Sequence, residues 1–99
     1  MMVVVFRNRL RPGVEAEYEE HGARIYELAR QMPGLVSTKD FTSEDGERLT
    51  IVEFRSAEEL EAWRVQVDHL AAQERGREHY YTEYSTQICQ QLRESRFRR

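Results

Sequence analysis

The chain has little of what small proteins use to fix themselves covalently or through metals. Cys89 is the only cysteine in 99 residues, which excludes an internal disulfide and a thiolate metal cluster. His21, His69 and His79 show no His-x-x-x-His spacing, so no dedicated metal site is expected. No stretch approaches the roughly 18 apolar residues of a membrane-spanning helix. Met1 to Phe6 is too short for the apolar region of a secretion signal. A reducing, cytoplasmic setting without a membrane partner is the expectation. There is no glycine-rich phosphate loop and no dinucleotide fingerprint. Positive charge is not in excess either: 15 Lys and Arg against 18 Asp and Glu give a net charge of -3, and no global field favours nucleic acid. The cluster Arg93, Arg96, Arg98 and Arg99 reads as a solvated end.

What is present is a globular composition, 39% apolar and 33% charged, read as a single domain over residues 1–99. A chain of this size buries only about 60 to 68% of its unfolded surface, so its core is thin and association would add to it.

A strand is predicted from Met2 to Leu10, rich in Val and Phe and broken by Arg11-Pro12-Gly13. A helix follows from about Val14 to Met32. Val14, Tyr18, Gly22, Ile25, Ala29 and Met32 step by three or four along one stripe. Glu15, Glu17, Glu19 and Glu20 crowd its first turns and Arg30 its last, the polarity that the helix dipole favours. Pro33-Gly34 ends it. Leu35 to Thr42 and Arg48 to Arg55 read as a hairpin around Asp45-Gly46, because both turn residues tolerate positive φ. Ser56-Ala57-Glu58-Glu59 is a capping box that opens a second helix carrying Leu60, Trp63 and Val67. Asp68 is expected to cap a further helical segment, His69 to about His79, before a last strand from about Tyr81 to Leu92.

The order β-α-β-β-α-β is the ferredoxin-like arrangement of an α+β protein, an antiparallel sheet with both helices on one face. In the first strand Met2, Val4, Phe6 and Leu10 share one side, Val3 and Val5 the other. In the third, Leu49 and Ile51 lie opposite Val52 and Phe54. Helices can cover only one of these faces, so a second copy packed sheet to sheet is expected on the other.

Asn8 is the most informative polar residue. Alternation places it beside Phe6 and Leu10 on an apolar face, where an amide must be tied to backbone or aimed into a cavity. Trp63, the only tryptophan, lies on the inward stripe, a core position by default. His69 and Gln73 share a helical face. Cys89, in a strand without a neighbouring base, reads as a buried structural thiol. These residues describe a pocket with one amide, one indole and some aromatics; they do not name a reaction.

The first strand ending Asn8-Arg9-Leu10, the run Ser56 to Trp63, and His69-Leu70-Ala71-Ala72-Gln73 through Gly76-Arg77 to Tyr80-Tyr81 together resemble the antibiotic biosynthesis monooxygenase family. The resemblance spans essentially the whole chain. It implies a dimeric α+β barrel, paired sheet to sheet, with a cavity between helices and sheet in each subunit. The haem-degrading branch of that family uses an asparagine on strand one, a tryptophan on helix two and a histidine about ten residues later. Asn8 and Trp63 match the first two. The third falls on Gln73, with His69 one turn earlier, and glutamine is not among the usual ligands of haem iron. The other branch oxidises polycyclic phenols or anthrones without metal or flavin. There the resemblance implies Asn8 and Trp63 as catalytic residues, with Phe6, Gly22, His69 and Gln73 contacting a small aromatic substrate. No cofactor is expected on this reading, with haem as the alternative. A non-catalytic ligand-binding dimer and an RNA-binding sheet are the competing classes, the second opposed by the acidic pI of about 5.6.

Overall fold

A computed structural model describes residues 1–99, apart from the side chain of residue 67. The expected stripe position Val67 therefore lies outside the described residues. Four strands, β1 (Met2–Leu10), β2 (Leu35–Thr42), β3 (Arg48–Phe54) and β4 (Tyr81–Gln90), form one antiparallel sheet in the order β2-β3-β1-β4. This is the ferredoxin-like topology that the sequence indicates. Helix α1 (Glu15–Arg30) connects β1 to β2, and the second connection is divided into α2 (Ala57–Arg64), α3 (Val67–Arg75) and a π-helical turn, Gly76–Tyr80.

The capping box forms. Ser56 Oγ accepts from the Glu59 amide at 3.2 Å, and the Glu59 carboxylate accepts in turn from the serine hydroxyl at 3.0 Å. Glu59 also lies against Gly34, whose φ of +88° ends the α1 connection; a Cβ there would collide with the carboxylate. The expected cap at Asp68 is not used. Gln66 takes that place, its side chain accepting from the His69 amide at 2.8 Å, because Val65 and Gln66 leave the helical path one turn earlier. The last strand ends at Gln90 rather than Leu92.

The core lies between sheet and helices. Ala29, Phe54, Leu60 and Trp63 are buried, with Met2, Val4, Ile25, Leu28, Met32, Leu35 and Val52 packed against them. Phe54 pairs with Met2 and Val52 with Val4, which fixes the even-numbered side of β1 as the helix side. Val3, Val5, Leu49, Ile51 and Phe41 stand on the reverse side, rimmed by the pairs Arg7–Glu47 at 2.9 Å and Arg9–Glu83 at 3.0 Å. Cys89 stands there too, opposite Val3 on the edge strand β4, and is exposed. The expectation of a buried thiol fails because no helix of the chain reaches that side of an edge strand.

Candidate functional site between helix α1 and the sheet

Helix α1 crosses the sheet antiparallel to β1. Near its start, the Tyr18 hydroxyl lies 3.0 Å from that of Tyr81, which pairs with Leu10 at the end of β1. Near its end, Ala29 packs with Phe54, opposite Met2. Residues 21 and 22 pass between these anchors, over the middle of β1, where Phe6 and Asn8 stand on the helix side.

Asn8 is only 2% exposed, and neither its Oδ1 nor its Nδ2 has a hydrogen-bond partner among the described residues. The alternative left by sequence, an amide tied to backbone, is therefore absent from the geometry. An unpaired buried amide is costly by about 1–3 kcal/mol in proteins. Above it, Gly22 is on the inward stripe with Tyr18 and Ile25, and a Cβ built there would meet no atom within 4 Å. The region between this stripe of α1 and the Asn8 side of β1 is the candidate slot.

Aromatic side chains wall the slot. The Phe6 ring lies 5.6 Å from that of Tyr81 and 5.9 Å from that of Tyr84, the partner of Asn8 across β1 and β4. Tyr18 and His21 both lean on Tyr80, at 5.4 and 5.3 Å, and Tyr80 is fully buried with its hydroxyl donating to Glu17. Burial pushes the Tyr18 and Tyr81 phenols above their ordinary pKa, so both remain protonated donors. His21 Nε2 is enclosed and unpartnered. Burial, then the nearby Arg24 and Arg75 guanidinium groups, lowers its pKa against the opposing pull of Glu17.

At the far side, Trp63 is buried and the His69 ring stacks flat on it, 4.0 Å between centroids at 12°. His69 Nδ1 lies 3.0 Å from the Trp63 carbonyl. A carbonyl only accepts, so Nδ1 carries the hydrogen and Nε2 the lone pair. Gln73 Nε2 lies 3.3 Å from the same Nδ1 and keeps the glutamine side chain against the imidazole. Burial lowers the His69 pKa, with the Trp63 carbonyl opposing.

All six residues singled out from sequence thus lie on the helix side of the sheet or in the helices that cover it. Asn8, Phe6 and Gly22 fall around one slot, and Trp63, His69 and Gln73 form a second contiguous group. Sequence reasoning passed over Tyr18, Tyr80, Tyr81, Tyr84 and His21 as site residues; the repeated tyrosines of Tyr80-Tyr81-Thr82-Glu83-Tyr84 were the available signal. Two surface depressions, of about 450 and 330 Å³, lie against the outer side of α1 and at the Asp45-Gly46 loop. Neither is lined by Asn8, Trp63 or His69.

The architecture is that of a ferredoxin-like α+β protein with an unpaired amide enclosed on the side of the sheet that its helices cover. The chain belongs to the antibiotic biosynthesis monooxygenase family, whose sequence profile matches residues 1–75. It is 29% identical over 80 residues to YqjZ of Bacillus subtilis (strain 168), described as uncharacterized, over 81% of this chain and 70% of that protein. Its fold is similar to that of Rv0793 from Mycobacterium tuberculosis, with a TM-score of 0.84 at 20% identity, over 96% of this chain and 98% of that one. It is also similar to a mutant of SnoaB from Streptomyces nogalater, described as a cofactor-independent oxygenase. There the TM-score is 0.81 at 17% identity, over 94% of both chains. At these identities the structures speak to the fold alone. Among the described residues, no helix is long and apolar enough to cross a membrane.

Proposed function

We propose that the chain is a small cofactor-independent monooxygenase that uses O2 on a flat, electron-rich aromatic such as a quinol or anthrone, held between sheet and helices. The observation that carries this reading is the Asn8 amide, enclosed and without a partner among the described residues, on the side of the sheet that the helices cover. Membership in the family supports it. In such chemistry the substrate's own carbanion reduces O2, and the protein binds, assists deprotonation and stabilises oxyanions. Asn8 Nδ2 donates to a carbonyl or peroxy oxygen, and its Oδ1 accepts from a hydroxyl. Phe6 forms the floor, Gly22 leaves the room, and Trp63 walls the ring while His69 and Gln73 meet its polar edge. The active unit is a homodimer through the reverse sheet face, where Val3, Val5, Leu49 and Ile51 are only partly buried and Phe41 is exposed.

Oxygen uptake over a panel of quinols and anthrones tests the reading. Turnover above the buffer rate, falling by roughly 10²- to 10³-fold in Asn8→Ala, is expected. Saturable binding without oxygen uptake would instead make the chain a non-catalytic binder, and neither binding nor uptake would end the proposal.

One observation favours haem as a second reading. Anchoring Nδ1–H on a carbonyl is how proteins orient a metal-ligating imidazole, and His69 has that arrangement. His69 Nε2 would then hold the iron, and the bound haem would supply the oxygen-activating centre. A haem titration followed by absorbance, with His69→Ala alongside, separates the two: a stoichiometric Soret shift lost in the variant would install haem.

A further inference from the structure

We propose that His21 is the proton acceptor of the slot, its Nε2 taking the proton from the hydroxyl of a phenolic substrate whose oxygen Asn8 holds. The assignment rests on the binding site proposed above and supplies the base that the sequence around Asn8 lacks. His21 Nε2 and both amide atoms of Asn8 are the enclosed side-chain polar atoms without a partner among the described residues. Buried polar atoms are paired in folded proteins, so orphans on α1 and on the side of β1 that α1 packs against call for a polar occupant. A phenol has the matching set: an O–H to give to an imidazole lone pair and an oxygen to accept from an amide N–H.

The other titratable groups nearby are committed elsewhere. Glu17 accepts from Arg75 at 2.7 Å and from Tyr80 at 3.2 Å, and His79 is exposed beside it at 3.4 Å. Tyr18 and Tyr81 bond each other. His69 is the exception: its Nδ1 is fixed on the Trp63 carbonyl but its Nε2 lone pair is free, which makes it the competing base that the labelling experiment distinguishes. The groups facing His21 are Tyr80 from the π-helical turn, Arg75 from α3, and Glu17 and Arg24 from its own helix. Burial first, then these two cations against one carboxylate, lowers the imidazole pKa, so it is neutral at pH 7, as a base must be before it acts. The step balances simply. The O–H bond of the phenol breaks, an N–H bond forms at Nε2, and the pair left on oxygen makes the oxyanion that Asn8 Nδ2 stabilises.

The test uses the full chain and 4-nitro-1-naphthol, a bicyclic phenol whose anion is coloured, with histidines labelled in ¹⁵N. At a pH below the probe's own pKa, wild-type protein is expected to bind it as the anion while the His21 nitrogens change to imidazolium shifts. In His21→Gln the bound probe is expected to remain the neutral phenol, its apparent pKa higher by about 1–3 units for loss of the adjacent cation. Circular dichroism establishes that the variant folds; His21→Asn serves if it does not, and the wild-type NMR needs neither. An equal anion fraction in the variant, or a proton found on His69 instead, would overturn the role of His21 and leave the site standing. No saturable binding to wild type would overturn site and base together.

Discussion

Replacing Asn8 by leucine should make the protein more stable while removing its ligand binding. Leucine branches at the same carbon as asparagine, so it fills nearly the same volume without the two polar atoms that now lack partners. The orphaned amide costs about 1–3 kcal/mol, and leucine also suits an apolar strand face better. Some of that gain returns as crowding from the slightly larger side chain, leaving a net gain of about 1–2 kcal/mol. For a domain of this size each kcal/mol moves the melting temperature by roughly 4–8 °C, so thermal and urea unfolding should both rise measurably. Asn8→Ala separates amide from volume: it removes the same polar atoms but leaves a cavity, and should change stability little. Both variants should lose affinity for an aromatic phenol. A loss of 1 kcal/mol or more in Asn8→Leu would refute the reasoning, because it would mean that the amide is satisfied in solution and belongs to the fold rather than to a ligand.

Gly22→Leu should fill the slot from above: helix propensity alone favours it by about 0.5–1 kcal/mol, while probe binding by absorbance should disappear. The folded pKa of both His21 and His69 is lowered, so the unfolded chain takes up protons first; stability should be full above about pH 6.5 and fall as pH drops through the folded values, with a shallower fall in His69→Phe by urea titrations across pH. Val5→Arg, on the uncovered sheet face, should convert a dimer to monomer in sedimentation and speed thiol labelling of Cys89 on the same face. Gly34→Ala should cost about 1–3 kcal/mol in urea unfolding, since it combines positive φ with a displaced Glu59 carboxylate.

The regular elements were legible because local chemistry and tertiary need agree in them. Period-two alternation located both faces of β1 and β3, and Ser56 to Glu59 announced a cap that forms as written. The second connection was less legible. Leu60, Trp63 and the residues beyond continue a helical pattern, and nothing in Val65-Gln66 announces a break as Pro33-Gly34 does. The cap at Gln66 is an uncommon choice, and it moved the start of α3 ahead of Asp68. The π-helical turn has no sequence rule behind it at all. Cys89 failed for a different reason: periodicity tells that a residue lies on a face, not whether that strand ends up at the sheet edge. At the site, Asn8 was legible because it violates its own strand's pattern. His21 was not, since a histidine between two glutamates and a glycine on a charged helix looks like surface until the helix is placed over the sheet.

These exceptions fall at one end of the molecule. Phe54, Ala29 and Leu60, under the later part of α1, obey every local rule and form the packed core. Asn8 in an apolar strand face, Gly22 within a helix, and a π-helical turn leading into Tyr80 and Tyr81 all gather under its first half. Each is unfavourable by itself, through an unpaired amide, a flexible helix residue and a poorer hydrogen-bond ladder. A thin core tolerates such a concentration only where the rest of the structure over-determines it, and natural folds concede such losses at functional sites. Trp63 joins the two ends: it is counted in the core, yet its free face carries His69. The choice between core tryptophan and site tryptophan that sequence poses is therefore not a choice, because one face of the indole packs in the core while the other carries the His69 imidazole.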